Sequence, residues 1–343
     1  MRRPAPDPPD AARPESGGQQ ACASDSGAVV QAGRDVLVTV EQHLHLPGRS
    51  AWPEGKARQA FLVASAFDHK YWIAELVGRM HRALDRDGVD LVLKLPDRDY
   101  DAAAQAHLLR RVLAAGGDYV GGFVVPTEID RLRPDLVEFC AELGRPVVFT
   151  DIEPFGPGHH HPANAAYVGY LGTAIGALAG RWLAAHLAHV PRPRVLMIAS
   201  REHRDRQDHC ARVLREALCA VRITVDDGCA FDRVRAYRAV CAHLCAEPVP
   251  DAVFCTNDEM ALAAVDALRT AGSPDTVVVG VDGVPEARDL IDSGTSPLRA
   301  TVVQDSHRLA QCAVHILERM HDGRETPRRV ILDPEIHQAA TRR

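Results

Sequence analysis

From Arg58 onward, short apolar runs alternate with longer stretches whose apolar residues recur every three to four positions. The runs predict strands near 60–66, 89–95, 119–125, 146–150, 194–199, 222–226, 252–256, 276–281 and 299–303. The periodic stretches predict helices near 70–87, 100–115, 131–143, 170–189, 205–219, 232–246, 258–271, 284–293 and 306–321. Apolar strands flanked by amphipathic helices imply parallel sheets covered on both faces. One sheet of so many strands would be unusually wide, so two are expected. The clearest unit is Asp251 to Gly283, DAVFCTNDEMALAAVDALRTAGSPDTVVVGVDG. A strand from Ala252 to Cys255 leads into a helix with Asp258 as N-cap and Gly272 just past its end. A second strand, Val277 to Val281, follows. Asn257 and Asp282 then stand past the carboxyl ends of two parallel strands, the edge where open α/β sheets bind ligands.

The amino-terminal part reads differently. Residues 1–26 are rich in Pro, Ala, Ser and Asp, with little apolar content, and are expected to be disordered. Residues 27–46, GAVVQAGRDVLVTVEQHLHL, contain a β-branched strand, and the phrase GAVVQAGRDV is similar to a short element found ahead of varied domains in actinobacterial proteins. This segment either pairs with a protein partner or a second copy through a strand edge, or caps the following domain. Residues 47–57 form a linker. The 343 residues suit two domains or one bilobed one. A net charge of −6 and the lack of a basic block argue against direct nucleic-acid binding. Nine irregularly spaced cysteines suggest reduced, buried thiols rather than a disulfide framework. With no apolar leader core and no membrane-length run, a cytoplasmic protein without a membrane span is expected. In the most apolar helix, Gly172, Gly176 and Gly180 recur every four residues and read as close packing of a helix on a sheet.

The NDEMAL segment and the strand ending in VDG resemble the sugar-binding branch of the type I periplasmic-binding-protein superfamily. Ribose-binding proteins and the effector domains of lactose-repressor-like regulators are members. The resemblance spans about 58–338 and implies an α/β fold of two hinged, Rossmann-like lobes with parallel sheets and a ligand cleft between them. It implies three crossings between lobes, with about 58–155 and 305–325 in one lobe and about 160–303 and 328–338, including the final strand Val330 to Leu332, in the other. A Pro/Gly-dense stretch, Glu153 to Pro162, reads as a crossing or a surface loop.

Sugar recognition needs flat aromatic faces for the apolar side of the ring and carboxylates or amides for its hydroxyls. In Phe67-Asp68-His69-Lys70-Tyr71-Trp72, Tyr71 and Trp72 match the family's aromatic pair, while His69 and Lys70 replace Asn-Pro. Asp151 matches the family's Asp, but Ile152 stands where an Arg often follows. Phe231-Asp232-Arg233 resembles the aromatic-Asp-Arg segment, with Phe231 as the stacking group and Asp232 equally well read as a helix N-cap. Asn257, Asp282 and Gln304 match the remaining polar positions. The ligand-gripping Arg expected after Ala199-Ser200 falls, by spacing back from Leu214, on Asp208, with Arg204 and Arg206 nearby but out of register. Asp68, His69, Lys70, Arg206 and Asp208 are therefore secondary candidates.

Other chemistry is weakly marked. His159-His160-His161 sits in a Pro/Gly loop, and Cys241 and Cys245 lack a C-x-x-C pair, so no metal site is expected. No nucleophile elbow, Walker loop or dinucleotide fingerprint is present, so no cofactor is expected. The leading expectation is non-catalytic binding of a small carbohydrate-like ligand by an intracellular sensor. The alternatives are an effector module of a regulatory system whose DNA-binding part lies elsewhere, a transport receptor, and a sugar-processing enzyme using Asp151 and Asp282 as an acid/base pair.

Overall fold

The structure is a computed structural model that describes residues 29–32, 35–39, 58–65, 71–98, 100–156 and 158–339. Its first lobe begins with β3 (Arg58–Val63), α1 (Tyr71–Asp85), β4 (Val89–Lys94), α2 (Ala102–Ala114), β5 (Tyr119–Val124), α3 (Ile129–Leu143), β6 (Val147–Phe149) and β7 (Ala165–Tyr170). The chain crosses at Leu171 into α4 (Gly172–Leu187). The second lobe continues through β8 (Arg194–Ile198), α5 (Arg204–Ala217), β9 (Arg222–Asp226), α6 (Arg233–Ala246), β10 (Ala252–Cys255) and α7 (Asp258–Thr270). Next come β11 (Val277–Asp282), α8 (Pro285–Ser293) and β12 (Leu298–Val303). A second crossing, at Gln304 and Asp305, returns to α9 (Ser306–His321) and β13 (Arg329–Leu332). The third crossing, at Asp333 and Pro334, delivers β14 (Glu335–Gln338). Ahead of all these lie β1 (Val29–Ala32) and β2 (Asp35–Thr39).

Two sheets result. The eight-stranded one runs β1-β2-β13-β7-β6-β5-β3-β4, and the six-stranded one runs β14-β12-β11-β10-β8-β9. All pairings are parallel except β1 with β2 and β14 with β12. Every residue of β10 and β11 is buried, which explains why these strands read as continuous apolar runs. In the first lobe Phe61 packs edge-on to Tyr119 and Phe139, fastening α3 to the sheet.

Four expectations are corrected. Val330 to Leu332, expected in the second lobe, pairs with β7 in the first sheet, and only β14 joins the second. Of the two readings of the Pro/Gly stretch, the loop holds and the crossing falls, because β7 beyond it pairs with β6 in the first sheet. The first crossing therefore lies near 171, not near 155–160. The glycines of α4 serve helix-on-helix packing: a Cβ on Gly176 would stand 2.1 Å from the carbonyl oxygen of Arg206 in α5. Asn257, not Asp258, caps α7, accepting from the Met260 amide at 2.9 Å. In the 27–46 segment, β2 adds to the first sheet beside β13, with Val38 opposite Val330 and Thr39 opposite Ile331.

The eight described cysteines are free thiols. Among the described residues, no helix is long and apolar enough to cross a membrane, and no group of three or more His, Cys, Asp or Glu is placed to hold a metal ion.

Candidate functional site

Parallel strands end on the same edge, so residues just past them converge on the space between the lobes. From the first lobe come Trp72 at the start of α1, Asp151 after β6, and Val125, Pro126 and Thr127 after β5. From the second lobe come Glu202, His203 and Arg206 around the start of α5, Phe231 before α6, Asn257 and Glu259 at the start of α7, and Asp282 at the end of β11. Gln304, from the second crossing, lies between the two sets. Trp72, Asp151, Phe231, Asn257, Asp282 and Gln304 thus face one cleft, as their positions in the sequence suggest.

Arg206 is its electrostatic centre. The residue is 3% exposed. Nη1 donates to the Thr256 carbonyl at 2.8 Å, and Nη2 donates to Gln304 Oε1 at 3.3 Å. Asp151 and Asp282, one from each lobe, lie 3.9 and 3.8 Å from the guanidinium. Gln304 Nε2 donates to Asp282 Oδ1 at 2.8 Å, closing the network. Arg206 Nε and the Thr127 hydroxyl are buried with no hydrogen-bond partner among the described residues. In a cleft, these are groups a polar ligand can satisfy.

The cation thus stands at 206, not at Asp208, which is exposed on the outer side of α5. Arg206, Cys210 and Leu214 share the buried helix face at four-residue spacing, and counting turns back from Leu214 would have found it. Tyr71 is also displaced: it is 50% exposed, because one residue along a helix turns the side chain by about 100°, and Trp72 takes the inward place. Trp72 Nε1 donates to the Gln304 carbonyl at 2.9 Å, which fixes the indole against the crossing. Asp68, His69 and Lys70 lie outside the described residues.

The lobes also meet directly. His203 Nε2 stands 3.6 Å from Asp151 Oδ2. The Glu128 amide donates to Glu202 at 3.2 Å. The rings of Tyr100 and Phe231 lie 6.0 Å apart across the lip. Glu259 pairs with Arg233, which also holds Glu286 at 2.8 Å. Ser65, Ile73, Tyr100, Val125, Pro126, Thr127, Ile152, Glu202, His203 and Glu259 complete the lining, and sequence reasoning had not put them there as ligand contacts. They sit in loops or first turns whose direction no local pattern encodes.

Six non-glycine residues among those described have positive φ: Tyr100, Glu128, Asp151, Ala230, Phe231 and Asp282. Four of them line the cleft. Such conformations cost about 1–3 kcal/mol each and cluster where a side chain must be aimed rather than relaxed.

Burial raises the Asp282 carboxyl well above the usual carboxylate range, while Arg206 and the Gln304 amide pull it down. Beneath it, Asp258 is fully buried and accepts from the Gly283 and Val284 amides at 2.7 and 2.9 Å and from the Thr301 hydroxyl at 2.7 Å. Gly280 makes room for this carboxylate, since a Cβ there would lie 2.1 Å from Asp258 Oδ1. Burial pushes Asp258 up from 3.8 to about 7, against those hydrogen bonds. An acid raised in the folded state binds more protons folded than unfolded, so stability falls as pH rises from 3.8 to about 7. The loss is about 1.4 kcal/mol per unit of difference. Asp258→Asn, whose oxygen can take the two amides and whose NH2 can face Thr301, is expected to flatten that slope in urea titrations across the window. An unchanged slope would assign it to other groups.

Comparison with known proteins agrees with this geometry. The family profile described as a periplasmic binding protein domain matches residues 60–325. The ribose import binding protein of Escherichia coli K12 is 35% identical over 103 residues, 30% of this chain and 34% of that protein. The chain thus matches about a third of the length of that relative. Among solved structures, a periplasmic solute binding protein of an ABC transporter from Actinobacillus succinogenes, with bound D-allose, superposes with a TM-score of 0.74 at 18% identity, covering 82% of this chain and 97% of that one. The fructose binding periplasmic domain of a hybrid two component system superposes with a TM-score of 0.70 at 18% identity, covering 82% and 90%. With its paired sheets, three crossings and interlobe cleft, the chain belongs to the periplasmic binding protein domain family.

Proposed function

We propose that the cleft binds a small carbohydrate-like ligand without transforming it, and that the protein acts as an intracellular sensor whose output is closure of the two lobes. The observation that carries the binding reading is the network around Arg206, which joins Asp151, Asp282 and Gln304 in a cleft that Trp72 and Phe231 also line. Carboxylates and an amide meet hydroxyls, the guanidinium adds donors, and the aromatic groups cover the ring. Asp151 and Asp282 stand 3.9 and 3.8 Å from one guanidinium, so each is a polar group that a ligand hydroxyl can meet beside a cation. The sensing reading draws support from β2, which pairs with β13, the strand that leads into the third crossing. A change in lobe angle then has a route to residues 29–39. An uptake receptor is the second reading, favoured by the identity to a ribose import binding protein.

A thermal-shift screen with sugars, polyols and nucleosides tests the binding reading, since a ligand at about 100 times its Kd stabilises by about 2.7 kcal/mol. A saturable rise with one class is expected, and Asp282→Ala is expected to abolish it while leaving a folded protein. No rise at millimolar ligand would sink the reading. Turnover of the bound ligand would replace it with the enzyme. Cell fractionation separates sensor from uptake receptor.

A further inference from the structure

The two walls of the cleft differ in chemistry. The second lobe presents charged and amide groups, with Arg206, Asn257 and Asp282 at its centre. On the first lobe, the ends of β5 and β6 present Val125, Pro126 and Ile152. These strands are hydrogen-bonded neighbours, with Val124 opposite Phe149, so the three side chains follow adjacent strand ends on one wall. Val125 is 2% exposed, and Ile152 is half-buried at the cleft surface. Ile152 also stands directly after Asp151, where the family resemblance would put an arginine.

The Asp151 carboxylate and the Thr127 hydroxyl flank these three residues on the same wall, but a hydroxyl pressed against the three carbon surfaces themselves would exchange water for carbon and leave its hydrogen bonds unmade. A methyl group there would lose only water, which is favourable. An arginine fork at 152 would reverse the preference, since it donates to hydroxyls on that side of the ring.

Resting on the sugar-binding reading above, we propose that the ligand is an alkylated or deoxy sugar or cyclic polyol, whose methyl or deoxy edge packs on a subsite formed by Val125, Pro126 and Ile152. Its remaining hydroxyls face the second lobe.

Isothermal titration of the full chain with matched pairs tests this: D-allose with 6-deoxy-D-allose, D-ribose with its methyl furanoside, and myo-inositol with a mono-O-methyl ether. In at least one pair the alkylated or deoxy member is expected to bind about tenfold tighter, the discrimination a single methylene commonly gives. Ile152→Arg is expected to erase or invert that preference. Ile152→Thr, which keeps the β-branched shape, is expected to narrow it and serves if the arginine variant does not fold. Parent compounds binding as tightly as their partners in every pair would overturn the subsite and leave the sugar-binding reading standing. A preference that survives both substitutions would overturn the role of residue 152. No binding by any compound at millimolar concentration would overturn both readings.

Discussion

Arg206→Ala is expected to lower stability by about 3–5 kcal/mol and to remove ligand binding altogether, because breaking a buried charge cluster leaves its carboxylates uncompensated. The side chain is almost wholly buried and faces Asp151 and Asp282 from opposite lobes. Its loss also frees the Thr256 carbonyl and Gln304 Oε1. Burial already holds the Asp282 carboxyl high, and Arg206 is the first of the groups that lower it. Without the guanidinium it rises further. An acid raised in the folded state costs stability as pH rises from its unfolded-state value through its folded-state value, and the cost is relieved as pH falls back through that window. The deficit of the variant relative to the parent protein should therefore shrink on acidification. Urea unfolding at neutral and mildly acidic pH checks the sign, and calorimetry checks binding. A deficit that grows on acidification would show that Arg206 does not hold down these carboxylates. Arg206→Lys keeps the charge but not the fork, so it should recover more stability than binding.

Gly176→Ala is the second large effect expected. The added Cβ would stand 2.1 Å from the Arg206 carbonyl oxygen, 2.9 Å from its carbonyl carbon and 3.0 Å from its Cα. All three are backbone atoms, so no side chain can swing away and α4 must part from α5. Overpacking of this kind costs about 1–3 kcal/mol or more, against a gain of about 1 kcal/mol in helix propensity. The overlap wins, and the displaced residue is the one at the centre of the cleft, so ligand affinity should fall with stability. Gly78→Ala provides the contrast. It lies inside α1 with only the far end of Arg82 within reach, at 3.8 Å. It should be neutral or stabilising and leave binding alone. A Gly176 variant with unchanged melting and affinity would show that the two helices are not in such close contact.

Much of this arrangement was legible in the chain. All nine α-helices among the described residues were foreseen, as were the buried strands other than β7, because burial on both faces produces unbroken apolar runs such as AVFC and VVVGV. β7 was missed because AAYVGY runs almost directly into the apolar helix α4 and shares its composition. β14, EIHQ, was missed because it is a short antiparallel edge strand with mostly polar residues. Nothing local distinguishes the sheet of β13 from that of β14, since only Asp333 and Pro334 separate them and the choice is made by distant partners. In the site, acids and amides after strand ends were readable because strand polarity dictates where they go. Arg206 was off by two positions, which on a helix is about 200°, more than half a circuit away from the exposed face of Asp208. Glu202 and His203 belong to a short 3-10 turn between β8 and α5 that carries no sequence signal of its own.

Gln304 is fastened to both lobes. Its carbonyl accepts from Trp72 of the first, its amide donates to Asp282 of the second, and beside it the Tyr170 hydroxyl donates to the Asp305 carbonyl at 3.3 Å. It sits at the second crossing between the lobes, where a rotation of one lobe on the other would displace atoms least. Tyr100 and Phe231 follow β4 and β9, the strands at the far edges of their sheets, where the same rotation sweeps the longest arc. Work done by a contact during a rotation scales with its distance from the axis. A ligand gripping only the pivot end would be held tightly and hardly felt, whereas one touching the lip would move the lobes even if weakly bound. If the lobes close on a ligand as proposed, tightness of binding and strength of response are set at opposite ends of one cleft, and substitutions can tune them apart.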